Sequence, residues 1–215
     1  MESVYPGVFR LQSSFGSNTY AVRAGMSTAV IDPGMALNAG RIIEELRAAG
    51  LLASVTHILV THHDFDHVGA APRLQDETGA VVRIGAADAE VLAGRRSPGT
   101  WPRRLMARVP APRLRGVVEG IVGTEEVFPG VRSVPTPGHT DGHMAFLAGE
   151  VLFAGDAIRA TSARSSGGEE GVQFRLFPRA LTNDRMAALR SAEILRGLAA
   201  RWLCPGHGHV REMAT

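Results

Sequence analysis

A chain of 215 residues, 45% of them hydrophobic, is long enough for one sizeable core or at most two small ones, and one soluble globular domain over 1–215 is expected. The single cysteine, Cys204, excludes an internal disulfide, MESVYPGVFRLQ has neither a basic start nor a signal-length apolar run, and no stretch of about 18 uncharged apolar residues is present to span a membrane; a cytoplasmic protein is expected. Net charge is +2 with a pI near 9.3 because all 23 basic residues are arginine, so the pI overstates the basic character and does not argue for polyanionic partners.

VFRLQS, NTYAVRAG and TAVIDPG alternate in strand fashion between turn residues and predict an antiparallel meander. ALNAGRIIEELRAAG sets Ile42, Ile43 and Leu46 at helical spacing and stops at Gly50. HILVTH is a short strand entering the polar loop HHDFDHVG; APRLQDETG predicts a helix closed by Gly79, and VVRIGA another strand. Residues 88–120 break this rhythm with Pro98, Pro102, Pro110 and Pro112 among Arg95, Arg96, Arg103, Arg104, Arg108, Arg113 and Arg115. This reads as an insertion between the two halves of the chain. VRSVPTPGH and the hairpin HMAFLAGEVLFAGDA follow. Residues 159–180 read as a loop, NDRMAALRSAEILRGL as a helix with Met186, Leu189 and Leu195 on one face, and WLCPGHG as a last strand and turn. Alternating strands and helices in two halves predict an α/β fold of mixed sheets covered by helices.

Chemistry concentrates at strand ends. THHDFDHVGA crowds His62, Asp64, Asp66 and His67 into one loop, a donor mixture that suits zinc, iron or manganese. TPGHTDGH then places His139 and His143, LFAGDA places Asp156 and PGHG places His207, each after an apolar strand and small residues that let the backbone turn sharply. Taken alone, THHDFDHVGA reads better as a polar turn with surface histidines. Four recurrences of one arrangement argue for a shared ion site.

The ordered set THHDFDH, PTPGHT, FAGD and PGHG, with the early IDPG, resembles the signature of the metallo-β-lactamase fold superfamily, and more loosely its glyoxalase-II-like branch. The resemblance spans nearly the whole chain. It implies a four-layer αββα sandwich with two divalent ions, zinc first, in a cleft at one edge between the sheets. It assigns His62 and His139 to the first ion, Asp66, His67 and His207 to the second, and Asp156 to a bridge between them. Asp32 would orient a ligand from behind. The family usually reads His-x-His-x-Asp-His; here the middle histidine is Asp64, which resembles flavodiiron proteins with a glutamate there, so Asp64 is retained as a ligand and manganese or iron become alternatives to zinc. His63 is the competing candidate for that place, and His143 could contact substrate or a ligand.

By charge count, two divalent ions, a bridging hydroxide and the carboxylates of Asp66 and Asp156 leave one positive charge, which Asp64 cancels; weaker acidification of bound water is expected, with Asp64→His lowering the pH optimum. The implied activity is attack of a metal-bound hydroxide on an ester-like bond, a thioester, lactone or other carboxylester, with Asp66 handling the proton. Rival readings are an iron-dependent oxidoreductase of the flavodiiron or persulfide-dioxygenase kind and a phosphodiesterase or nuclease. The expected partner is a small molecule, anionic if the insertion brings its arginines over the cleft, with no membrane and nucleic acid disfavoured; the oligomeric state is left open. His57 and His209 read as structural or exposed, and Cys204 as a small buried hydrophobe.

Overall fold

The computed structural model describes residues 1–106, 113–164 and 170–213, whose strands form two large sheets and a separate hairpin. The first sheet keeps sequence order through β1 (Glu2–Tyr5), β2 (Val8–Arg10), β3 (Tyr20–Ala24), β4 (Ser27–Ile31), β5 (Val55–Val60), β6 (Val81–Gly85) and β7 (Val118–Ile121). It is antiparallel as far as β4 and parallel from β4 to β7. Parallel neighbours need crossovers, and these are helical: α1 (Ala39–Ala48), then α2 (Phe65–Val68) with α3 (Ala71–Thr78), then α4 (Ala86–Leu92) with α5 (Trp101–Met106).

The second sheet is built from β8 (Glu126–Phe128), β9 (Val131–Pro135), β10 (Met144–Ala148) and β11 (Val151–Gly155), with β14 (Trp202–Pro205) and β15 (Arg211–Glu212) completing the order β15-β14-β11-β10-β9-β8 once the hairpin β12 (Arg159–Arg164) and β13 (Glu170–Arg175) and helix α6 (Arg185–Arg196) have passed. Only β11 and β14 pair in parallel, with α6 in the crossover between them.

Side-chain alternation divides the interior into three apolar layers. In β4, Ala29 and Ile31 join one cluster with Met144 and Phe146 of β10 and Val151 and Phe153 of β11, which is the layer between the sheets. The intervening Val30 faces the opposite way, onto Ile42 and Leu46 of α1 and Leu74 of α3. On the far side, Ala145, Leu152 and Ala154 meet Ala192 and Leu195 of α6. Strands buried on both faces need no polar alternation, and the result is the expected αββα sandwich.

Three local expectations change. The stretch expected as a loop over 159–180 contains the β12–β13 hairpin, paired from Arg159↔Arg175 to Arg164↔Glu170; main-chain bonding carries the pairing, to which Ser, Gly and Arg side chains are no bar. Helix α6 packs through Ala188, Ser191, Ala192 and Leu195, while Met186 and Leu189 are exposed, because small side chains allow the helix to approach the sheet closely. The segment 88–120 opens in helix and closes in β7; Arg108, Pro110 and Pro112 lie outside the described residues, as do 165–169 of the expected loop. Among the described residues, no helix is long and apolar enough to cross a membrane.

Candidate metal centre

Strand direction delivers the site. Because β4 and β5 are parallel, Asp32 and the Thr61–His62 pair leave their strands at the same edge. In the second sheet β11 and β14 are parallel, and two antiparallel steps bring β9 into the direction of β11, so His139, Asp156 and His207 follow strands that end together. The sheets are tied at this edge by Met144 N, which donates to Thr61 O at 2.8 Å. Within the expected polar loop, Asp64 precedes the single turn α2, which sets Asp66 and His67 on consecutive helical positions.

The donor atoms fall into two clusters that share one carboxylate. His62, Asp64 and His139 form one, Asp66, His67 and His207 the other, and a third group of His62, His67 and Asp156 joins them. His139 Nε2 is 3.1 Å from Asp64 Oδ2, and His62 Nε2 is 3.4 Å from it. His207 Nε2 is 3.3 Å from both Asp66 Oδ2 and His67 Nε2. Asp156 Oδ2 stands 3.5 Å from His139 and His207 Nε2 and 3.8 Å from His62 Nε2, while Oδ1 is 3.4 Å from His67 Nε2. Donors bound to a shared ion at about 2.0–2.2 Å are expected at such separations. His62 Nε2 and Asp156 Oδ1 are buried without a hydrogen-bond partner, a costly condition that a cation would relieve. The residues present fit a divalent ion.

Behind the donors, hydrogen bonds dictate which ring nitrogen faces inward. Asp32 Oδ1 accepts from Thr61 N and Oδ2 from Thr61 Oγ1, both at 2.8 Å, and Oδ2 lies 2.9 Å from His67 Nδ1. With its own proton given to Asp32, Thr61 Oγ1 accepts from His62 Nδ1 at 2.9 Å. Both Nδ1 atoms therefore carry hydrogen, and both Nε2 lone pairs are turned toward the cleft. His143 works differently. Its Nε2 accepts from Asp156 N at 3.1 Å and its Nδ1 donates to Thr136 Oγ1 at 2.7 Å, so it holds the backbone of Asp156 and offers no free lone pair. His63 is engaged by Asp88, whose Oδ2 accepts from His63 N and lies 2.9 Å from Nδ1. Of the two candidates for the middle place, the first cluster contains Asp64.

Close packing leaves no room for side chains at two glycines. A Cβ on Gly155, at φ +49°, would come within 2.6 Å of Thr61 Oγ1, and one on Gly206 within 2.4 Å of Asp156 Oδ1. The turn bearing His207 is clamped by β3 and the connection before it, since Asn18 Nδ2 donates to Pro205 O and Gly208 O and Tyr20 Oη donates to Pro205 O.

Charge is unevenly held. Burial favours neutral His67, but the carboxylates of Asp156, Asp32 and Asp66 outweigh it and push its pKa up to about 9. His207 likewise rises to about 10 against burial, through Asp156 and Asp66. Burial, reinforced by the neighbouring charge of His67, holds His62 well below the ordinary histidine range; burial together with His139 and His67 does the same for His143. The corner containing Asp32, Asp66 and Asp156 thus draws cations, whether protons or a metal ion.

Asp64 is occupied by a residue that sequence reasoning did not single out. Arg103 of α5, 2% exposed, reaches it with Nε to Oδ1 at 2.6 Å and Nη2 to Oδ2 at 2.8 Å. Burial raises the Asp64 carboxyl, yet the neighbouring imidazoles of His139 and His62 and the guanidinium of Arg103 hold it well below the carboxylate range. The positive charge on Arg103 was absent from the count that cancelled Asp64, so the argument from a neutral site fails. Arg95 is spent on Glu90 and Arg96 on Asp141. Trp101 and Leu105 of the same helix face solvent. Phe177 was also missed: its ring centroid lies 5.0 Å from that of His139 and 5.5 Å from that of His207, with the Arg159 guanidinium 5.4 Å over it. His57 is half-buried against Phe128, His209 is exposed, and Cys204 is buried with its thiol pushed up by desolvation.

The sequence model of the metallo-beta-lactamase superfamily matches residues 14–207. A hydroxyacylglutathione hydrolase of Rhodospirillum rubrum is 36% identical over 143 residues, 63% of this chain and 44% of its own length. An atrochrysone carboxyl ACP thioesterase of Aspergillus fumigatus is 30% identical over 213 residues, 96% of this chain and 54% of its own. The chain therefore spans about half the length of these curated relatives. Among solved structures, TTHA1623 in a di-iron-bound form superposes with a TM-score of 0.71 at 26% identity, covering 95% of this chain and 94% of that one.

Proposed function

The chain belongs to the metallo-β-lactamase superfamily, and on that premise we propose that it is a metal-dependent hydrolase of an ester-like bond, with a thioester favoured over a lactone or other carboxylester. The observation that carries the reading is the Asp156 carboxylate standing between two donor clusters, one of His62, Asp64 and His139 and one of Asp66, His67 and His207. Those residues would hold divalent ions at two positions, zinc before manganese or iron. The preference for a thioester rests on the relatives, since one is named a thioesterase and hydroxyacylglutathione is a thioester by its chemistry.

When bound, such ions polarise a carbonyl and acidify water. The remaining work falls to the chain. Asp32 and Thr61 keep the Nε2 lone pairs of His67 and His62 facing the cleft, so no reorganisation is needed at the moment of reaction. Asp66 is partly exposed and its carboxyl is lowered, against burial, by His207 and His67. It is ionised at neutral pH, and its carboxylate would accept the proton from the attacking water and pass it to the leaving thiolate. Phe177, against both His139 and His207, would exclude water from one side and offer an apolar surface to the acyl portion of a small-molecule substrate.

A second reading, an iron-dependent oxidoreductase, is favoured by one observation, the di-iron-bound form of TTHA1623. The discriminating experiment is the metal content of protein purified without added metal, by elemental mass spectrometry, together with turnover of thioester, lactone and phosphodiester panels. Zinc or manganese with thioester turnover supports the hydrolase. Iron without hydrolysis moves the assignment to redox chemistry, and failure to retain metal even after reconstitution ends both readings.

A further inference from the structure

Arg103 is a buried cation whose whole hydrogen-bonding capacity is spent within the first donor cluster and its supports. Beyond the fork to Asp64, Nη2 lies 2.8 Å from His139 Nε2 and, with the ring proton on Nδ1, donates to it, and Nη1 donates to His139 O and to Asn183 Oδ1, both at 3.1 Å. All five guanidinium N–H groups thereby have an acceptor. An arginine so completely satisfied is held in one place by design of its surroundings rather than lying along a surface.

Two of its acceptors, Asp64 Oδ2 and His139 Nε2, are donor atoms of the first cluster. They differ in what they can share. A carboxylate oxygen has two lone pairs and accepts an N–H bond while binding an ion. An imidazole nitrogen has one in-plane lone pair and can serve the guanidinium or a metal, not both. Asp66, His67 and His207 stand against one another and against the carboxylates of Asp32 and Asp156.

We propose that Arg103 is a resident cation of the first metal position, making the two positions unequal: the Asp66–His67–His207 position loads first, and the His62–Asp64–His139 position loads only when the guanidinium releases His139 while keeping its grip on Asp64. This rests on the metal-dependent reading of the site and adds an order of loading and a residue that sets it. The expected penalty is the loss of one hydrogen bond to a charged donor, about 10- to 100-fold in affinity for the second equivalent.

The test is calorimetric titration of chelator-stripped protein with zinc, with bound metal counted by elemental mass spectrometry, for the wild type, Arg103→Gln and the exposed neighbour Arg104→Gln. The wild type and R104Q should take one tight equivalent and a second that is weaker by the factor above, whereas in R103Q the second should approach the first. Two equal equivalents in the wild type, or a second unchanged by R103Q, overturn the proposal. Should R103Q not fold, the wild type with ¹⁵N-labelled arginine decides: the Nη2–H signal that Arg103 gives to His139 should persist through the first equivalent and be lost during the second while the Nε–H signal stays, and its loss with the first overturns the proposal. Unequal loading without thioester turnover supports this inference while removing the hydrolase reading; equal loading with turnover does the reverse.

Discussion

Asp32 holds His67 from a left-handed backbone conformation, φ +48°, with Oδ2 2.9 Å from His67 Nδ1. Asparagine tolerates that conformation, so Asp32→Asn isolates the electrostatic role from the backbone one. Its amide would no longer accept from both Thr61 and His67, and the inward lone pair of His67 would lose its support. Metal affinity should fall by about 10- to 100-fold, the usual cost of removing such an orienting partner, with the circular dichroism unchanged. Chelator competition measures it, and an undiminished affinity would remove Asp32 from this role.

The raised histidines make a prediction about pH. A histidine with a folded pKa above its unfolded value of about 6.5 contributes stability that is full below that value and lost as pH rises through the folded one. With His67 near 9 and His207 near 10, metal-free protein should lose stability progressively from about pH 6.5 to 10. Zinc-loaded protein, whose imidazoles bind as neutral ligands, should show a flatter profile. Urea midpoints across this range, with and without metal, provide the check; a level profile for the stripped protein would contradict the shifted pair.

Restoring the family's usual histidine should harm this chain. Asp64→His removes the bidentate partner of buried Arg103, and an uncompensated buried charge costs about 3–5 kcal/mol. The double variant Asp64→His with Arg103→Met should recover most of that loss. Denaturant midpoints of the three proteins decide it, and a single variant as stable as the wild type would falsify the coupling.

His143 is expected to act through Asp156. In His143→Ala the buried N–H of Asp156 loses its acceptor, costing about 1–3 kcal/mol with a further penalty for the cavity. His143→Gln, which retains an acceptor oxygen, should restore part of both stability and metal affinity. Equal loss in the two variants would point to packing alone.

Legibility followed chemistry that is local in sequence. The strand-end donors His62, Asp66, His67, His139, Asp156 and His207 stand out because each follows an apolar run and a tight turn, and strand direction then brings them together. Asp88 escaped notice because nothing in AADAEVL advertises it. In the fold its carboxylate gathers His63 N, Thr140 Oγ1 and Gly142 N, pinning the loop that carries His139. Thr61, Thr136 and Asn18 were equally silent, since a hydroxyl or amide becomes an orienting group only through what it faces.

By itself the sequence pointed to an α/β fold of mixed sheets through its periodicity, and through the family resemblance of its motifs to the αββα sandwich and to the strand-end residues that the fold gathers. Only the tertiary structure decided the charge and geometry of that cluster. Arg103 is one of 23 arginines in a chain without lysine, and no local pattern distinguishes it. What sets it apart is a position 39 residues from Asp64, 36 from His139 and 80 from Asn183, brought together by packing. Hydrogen-bond partnership and burial are properties of spatial neighbours, and those exist only once the sheets have closed on one another.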